Sequence, residues 1–136
     1  MKKPNLNINF YTKQIRNNNN IYEVFAAYHN RGILYFKNKY YAKATEDFTY
    51  AIDISNTNGC YRYIRRSISP RDFNYIRAKE FFLRGIAYIK INNLDKGIDD
   101  FKKALDLDSE VIQENKLELN IISLEIISLI RSFFDI

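Results

Sequence analysis

Two Arg-Gly-Ile triplets, Arg31-Gly32-Ile33 and Arg84-Gly85-Ile86, lie 53 residues apart, and the match between them runs well beyond the triplets. At the same offset Tyr35 meets Tyr88, Lys37 meets Lys90, Lys43 meets Lys96, Asp47 meets Asp100, Phe48 meets Phe101, Ala51 meets Ala104 and Asp53 meets Asp106. Conservative pairs fill the gaps: Tyr28/Phe81, Glu46/Asp99, Ile52/Leu105 and Ile54/Leu107. An internal repeat narrows the possible folds sharply. Each copy is one supersecondary unit that cannot bury its apolar face alone, so copies must stack or be covered.

Each copy reads as two helices. In the second, Phe81, Gly85 and Tyr88 recur at spacings of four and three, which places them on one helical stripe. Asn92-Asn93 breaks that helix. Asp95 can cap the next, whose stripe is Ile98, Phe101 and Ala104-Leu105. The first copy repeats the scheme with Tyr28, Gly32 and Tyr35, a break near Asn38, then Ala44, Phe48 and Ala51-Ile52. Small residues stand where helices must approach closely, and aromatics stand where space must be filled. With only four glycines and two prolines in 136 residues, tight turns are few, which favours long helices over a many-stranded sheet.

These residues resemble the tetratricopeptide repeat, a helix-turn-helix unit of 34 residues. Counted from Phe25, the aromatic, small, aromatic, Ala, aromatic, Ala pattern of that family falls on Tyr28, Gly32, Tyr35, Ala44, Phe48 and Ala51. Counted from Ala78, it falls on Phe81, Gly85, Tyr88, Gly97, Phe101 and Ala104. Gly97 departs from the usual Ala, and the closing Pro is absent, with Asn56 and Ser109 in its place. The resemblance implies an all-α fold: a right-handed stack of antiparallel helical hairpins, closed by a long C-terminal capping helix.

The expected organisation is an Asn-rich N-terminal segment over 1–20, with Leu6, Ile8, Phe10 and Ile15 able to form a short docking helix; a first repeat over 21–58; an Arg/Tyr-rich insertion over 59–77; a second repeat over 78–108; and an apolar C-terminal helix over 109–136. Residues 17–20 read as a flexible link. Asn56, Asn58 and Gly59 read as a helix stop, and the Arg/Tyr cluster as a loop. Ser69-Pro70-Arg71-Asp72 has the cap, the first-position Pro and the first-turn acid of a helix start, so the next helix should run from about 70 to 90. Ser109 should cap a final helix over 110–133.

The resemblance implies a binding face on the first helix of each pair. Residue by residue that face comprises Ala26, His29, Asn30, Ile33, Phe36 and Lys37, then Lys79, Phe82, Leu83, Ile86, Ile89 and Lys90. Apolar walls edged by Asn and Lys suit an extended or helical segment of a partner protein. The plainer alternative is that the final helix simply covers them. Some family members clamp a chaperone's C-terminal carboxylate with a Lys/Asn/Asn/Lys/Arg set. Here Asn30 and Lys79 match two of its members, but Leu83 stands at the Arg position and no third repeat exists.

Two other readings compete. Ile122, Ile126, Leu129, Ile130 and Phe133 form one stripe of the last helix, and Ile121, Leu124 and Ile127 widen it beyond the ~100° of a single packed face. That excess should be buried by a second copy, a partner or the N-terminal segment, and a second copy would make the chain a self-assembling structural piece and a homodimer. Arg62, Arg65, Arg66 and Arg71 alternate with Tyr61, Tyr63, Phe73 and Tyr75, a pattern that can hold phosphates and stack bases. A solvated loop whose arginines pair with the acidic helices over 94–120 is the simpler explanation, and it disfavours nucleic acid.

Catalysis is not expected. His29 is the only histidine and Cys60 the only cysteine, so neither a His pair nor a thiolate cluster can hold a metal. Glu46-Asp47 and Asp99-Asp100 are consecutive on helices, so their side chains diverge by about 100° and cannot share one substrate. No Gly-rich phosphate loop occurs, and no cofactor is expected. The run 121–134 is interrupted by Glu125 and Arg131 and is too short to span a bilayer, and 1–9 has no apolar signal core. The expectation is a cytoplasmic, non-catalytic scaffold that binds another protein and no membrane.

Overall fold

The stripes read from the sequence close into helices in the computed structural model, which describes residues 4–119 and 124–134. In chain order these are α1 (Pro4–Asn17), α2 (Ile21–Lys37), α3 (Tyr41–Ser55), α4 (Asn58–Ser67), α5 (Pro70–Lys90), α6 (Leu94–Leu107), α7 (Val111–Glu114), α8 (Lys116–Leu119) and α9 (Leu124–Phe134). The described residues contain no strand, and the fold is all-α and tetratricopeptide-like. The chain divides into two compact units, Met1–Phe73 and Asn74–Ile136.

The same interlock holds the hairpin in each unit. In the first, Gly32 of α2 faces Phe48 of α3: a Cβ at Gly32 would lie 2.9 Å from the ring's Cε1. In the second, a Cβ at Gly85 would lie 3.0 Å from both the Phe101 ring and the Gly97 carbonyl oxygen. Phe48 and Phe101 are fully buried. Missing side chains on one helix thus make the sockets into which the aromatics of the next are driven. Burying each ring stabilises its unit by about 1.5–3 kcal/mol.

Beside each socket sits a charged clamp. Arg31 Nε and Nη2 each donate to one oxygen of Asp47 at 2.8 Å. Arg84 does the same to Asp100, again at 2.8 Å on both bonds. The guanidinium of Arg31 lies 5.6 and 5.7 Å from the ring centres of Tyr28 and Tyr35, and that of Arg84 lies 5.4 and 5.5 Å from Phe81 and Tyr88. Lys43 and Lys96 cover the same Tyr35 and Tyr88 rings at 5.5 and 5.4 Å. The residues that match at an offset of 53 therefore do the same work twice.

The two members of the first clamp respond in conflicting ways. Its hydrogen bonds to Asp47 raise the Arg31 pKa, which marks a favourable pair. Yet burial pushes the carboxyls of Asp47 and Asp100 above the ordinary carboxylate range, and the paired guanidinium only partly offsets it. We take burial as decisive, because the carboxylate side chains are 3% exposed while the arginines keep 18% and 12%. A buried ion pair of this kind fixes geometry more than it adds net stability.

The turns inside the hairpins match as well. Lys39 and Asn92 both have φ of 66°, the left-handed region. Tyr40 N–H donates to Tyr35 O and Asn93 N–H to Tyr88 O, both at 2.8 Å; Lys39 N–H donates to Phe36 O and Asn92 N–H to Ile89 O, both at 3.0 Å. This double bond pattern is the Schellman helix stop, which wants Gly or Asn at the left-handed position. Asn92 suits it and Lys39 does not.

Several local expectations change. Residues 17–20 are a hydrogen-bonded cap rather than a flexible link: Asn20 Oδ1 accepts from Tyr22 and Glu23 N–H at 2.9 and 3.1 Å, and Asn18 Oδ1 accepts from Asn20 N–H at 2.9 Å. Asn93, not Asp95, caps α6, accepting from Lys96 N–H. Ser69 does cap α5, accepting from Asp72 N–H at 3.1 Å, and that helix runs over Pro70–Lys90. The Arg/Tyr stretch is not a loop but α4, and Cys60 is fully buried on it. Shifted by 53 residues, α1 overlies α4 in sequence, with Ile8/Tyr61, Phe10/Tyr63, Tyr11/Ile64 and Ile15/Ile68 in register. The repeating unit is thus three helices long, which is why the period exceeds that of a bare hairpin. The single helix expected over 110–133 is broken. Asp108, rather than Ser109, accepts from Glu110 N–H at 2.9 Å, α7 stops at Asn115, and α8 starts at Lys116.

Three stability outcomes follow. Asp100→Asn should cost about 3–5 kcal/mol by removing the carboxylate charge that Arg84 Nε and Nη2 grip, whereas the joint change Arg84→Met/Asp100→Leu should cost far less. Urea denaturation of both variants checks this, and equal losses would contradict it. Gly97→Ala gains helix propensity of up to about 1 kcal/mol, but its Cβ would sit 2.7 Å from Ile89 Cγ1 and 2.9 Å from the Gly85 carbonyl. Overpacking of about 1–3 kcal/mol should win, and the melting temperature should fall. Lys39→Gly should raise the melting temperature, with a gain of about 0.5–1 kcal/mol from relieving the left-handed lysine.

Candidate functional site

In the first unit α1 is tied to α2 through the clamp itself: Arg31 Nη1 donates to Thr12 Oγ1 at 3.0 Å. That leaves a cleft of about 220 Å³ between the two helices. Phe10, Tyr11 and Gln14 of α1 line one side, and Glu23, Ala26 and Asn30 of α2 line the other. Phe10 is 55% exposed, a large apolar ring left in water at the edge of a groove. The small Ala26 opens room on the α2 side. The Asn30 side-chain amide can both donate to and accept from a peptide backbone. Glu23 is already held by the Asn18 amide.

Tetratricopeptide repeat models match residues 25–58 and 78–111, which are the two hairpins with their stops and their interlocks. The chain belongs to the tetratricopeptide repeat family. Members of this family are generally protein–protein interaction modules and typically non-enzymatic scaffolds. No curated protein and no solved structure matched the chain.

Within this tetratricopeptide protein the face expected on α2 is only partly open. Ala26, His29, Asn30 and Ile33 are half-buried and Lys37 is exposed, while Phe36 is buried. The His29 ring lies 6.2 Å from that of Phe25. On α5 the picture differs. Phe82, Leu83, Ile86 and Ile89 are buried, with Phe82 packed 5.7 Å from Phe101, so they serve the core of the second unit. Lys79 is half-buried and Lys90 exposed. The α1 side of the cleft does not emerge from the family pattern. Its signal was the apolar set Leu6, Ile8, Phe10 and Ile15, which reads as a docking helix without showing that Phe10 stays outside.

The remaining expected residues fall as follows. Arg62, Arg66 and Arg71 are exposed; Tyr63 of α4 stacks on Tyr22 with ring centres 5.0 Å apart; the Arg65 side chain lies outside the described residues. Of the C-terminal stripe, Ile130 is buried and Ile126 half-buried; Ile122 and the side chains of Leu129 and Phe133 lie outside the described residues. Asp47 and Asp100, considered above as acid candidates, are both engaged by arginine. Among the described residues no group of three His, Cys, Asp or Glu side chains could hold a metal ion, and no helix is long and apolar enough to cross a membrane.

Proposed function

We propose that this chain is a non-catalytic scaffold that seats an extended or helical segment of a partner protein in the α1–α2 cleft. The observation that carries the proposal is Phe10, more than half exposed beside a groove that also holds Asn30. An exposed aromatic next to a small-residue floor supplies apolar anchoring, and a side-chain amide supplies backbone hydrogen bonds. Binding energy in such interfaces concentrates on a few residues, aromatics prominent among them. His29, Ile33 and Lys37 continue the same α2 surface toward its C-terminal end and would extend the footprint. Phe82, Leu83 and Ile86 would enter only indirectly, by holding α5 in shape.

The test is selection of peptides from a displayed library on the intact chain, followed by titration of the best binder. Phe10→Ala and Asn30→Ala should each weaken it by about tenfold or more, equivalent to at least about 1.4 kcal/mol, with the far-ultraviolet circular dichroism unchanged. Undiminished affinity in both variants would place binding elsewhere.

A further inference from the structure

A second pocket, of about 140 Å³, lies in the other unit among α7, α8 and α9. Ile112, Leu119, Ile127 and Ile130 form its apolar lining, and all four are buried. Lys116 and Arg131 also line it, and both are exposed. Neither cation forms an ion pair among the described residues, and no acidic side chain among them lines the pocket. Two positive charges therefore sit at a small apolar recess.

Size decides what the recess can hold. It is close to the ~150 Å³ apolar cavity that takes up a benzene molecule, and well below the roughly 300–1,000 Å³ of small-molecule sites. It accepts one large side chain and no metabolite. The charges decide what stands beside that side chain, because carboxylates next to it would meet Lys116 and Arg131. The helices around the pocket also present apolar surface outward: Leu117 of α8 and Leu124 of α9 are each 79% exposed. Exposed leucines beside an anchor recess fit a protein surface better than a free ion.

We propose that this pocket anchors a single leucine or phenylalanine of a partner segment whose flanking residues are acidic. The proposal rests on the reading that the chain binds protein. It does not need the α1–α2 cleft.

The probe is a fluorescein-labelled synthetic peptide, Glu-Asp-Leu-Asp-Glu, titrated with the full chain and read by fluorescence anisotropy. Three comparison peptides accompany it: an amide twin with Gln and Asn for the acids, one with Gly for Leu, and one with Lys for the acids. The acidic peptide should bind, and the amide and Gly forms should bind at least tenfold more weakly. Lys116→Glu/Arg131→Glu should lose the acidic peptide and gain the lysine one. Because both positions are exposed, circular dichroism should stay unchanged. Asn30→Ala should leave the titration unaltered, which separates this site from the cleft. No anisotropy change up to millimolar chain would overturn the proposal, as would equal binding of the amide twin or retention by the charge-reversed variant. Sedimentation showing a dimer that Arg131→Glu dissociates would also overturn it, because a second copy would then fill the recess.

Discussion

Each hairpin of this chain depends on one close approach. A glycine on the first helix leaves no side chain where the phenylalanine of the second must lie, and a bidentate arginine–aspartate pair bolts the helices together beside it. The Gly32–Phe48 and Arg31–Asp47 contacts of the first unit recur as Gly85–Phe101 and Arg84–Asp100 in the second. The two parts divide the labour. The ring supplies burial, which is favourable but tolerant of small rotations and slides. The forked ion pair is directional, and breaking it strands a buried charge. A hairpin sliding along its partner would lose both at once. The flanking aromatics extend the same logic, since each guanidinium is held between two rings while it holds a carboxylate.

Much of this was legible in the sequence. Small–aromatic periodicity and the 53-residue match placed both hairpins and the start of α5, because helical spacing and cap chemistry are local. Long-range pairing was harder. Arg31 and Asp47 are 16 residues apart on different helices, and so are Arg84 and Asp100. Both pairs lie in the matched set, so their coincident recurrence was the available clue that they touch. The acids were instead weighed as isolated consecutive pairs. The stretch with Arg62 and Arg66 reads as a loop because Asn58 and Gly59 precede it, yet Cys60 is buried on a helix there. Polar residues disguise that helix. The break at Asn115 was masked in the opposite way, by apolar continuity on both sides. There the Asn115 side chain bonds to the Val111 carbonyl at 2.7 Å and meets the Tyr75 hydroxyl at 3.3 Å, and a local polar anchor overrides the stripe.

The candidate cleft follows from the same interlock. Arg31 reaches past Asp47 to Thr12, so the group that fixes α3 on α2 also fixes α1. With α1 held there, Asn30 faces a groove with a second wall, and Phe10 stands at its edge. The family supplies the general role of protein interaction. Half-buried polar groups and one exposed ring are suited to a partner segment.

Native-state hydrogen exchange on the full chain tests the interlock most directly, because it reads local opening helix by helix. The slowest amides should cluster where the helices cross, around Gly32 and Phe48 in one unit and around Gly85 and Phe101 in the other. Protection should fall off through α4 and through α7 to α9. If the crossing amides exchange as fast as those of α4, or if the most protected amides lie in the C-terminal helices, the glycine–phenylalanine sockets and their clamps are not what holds this chain together.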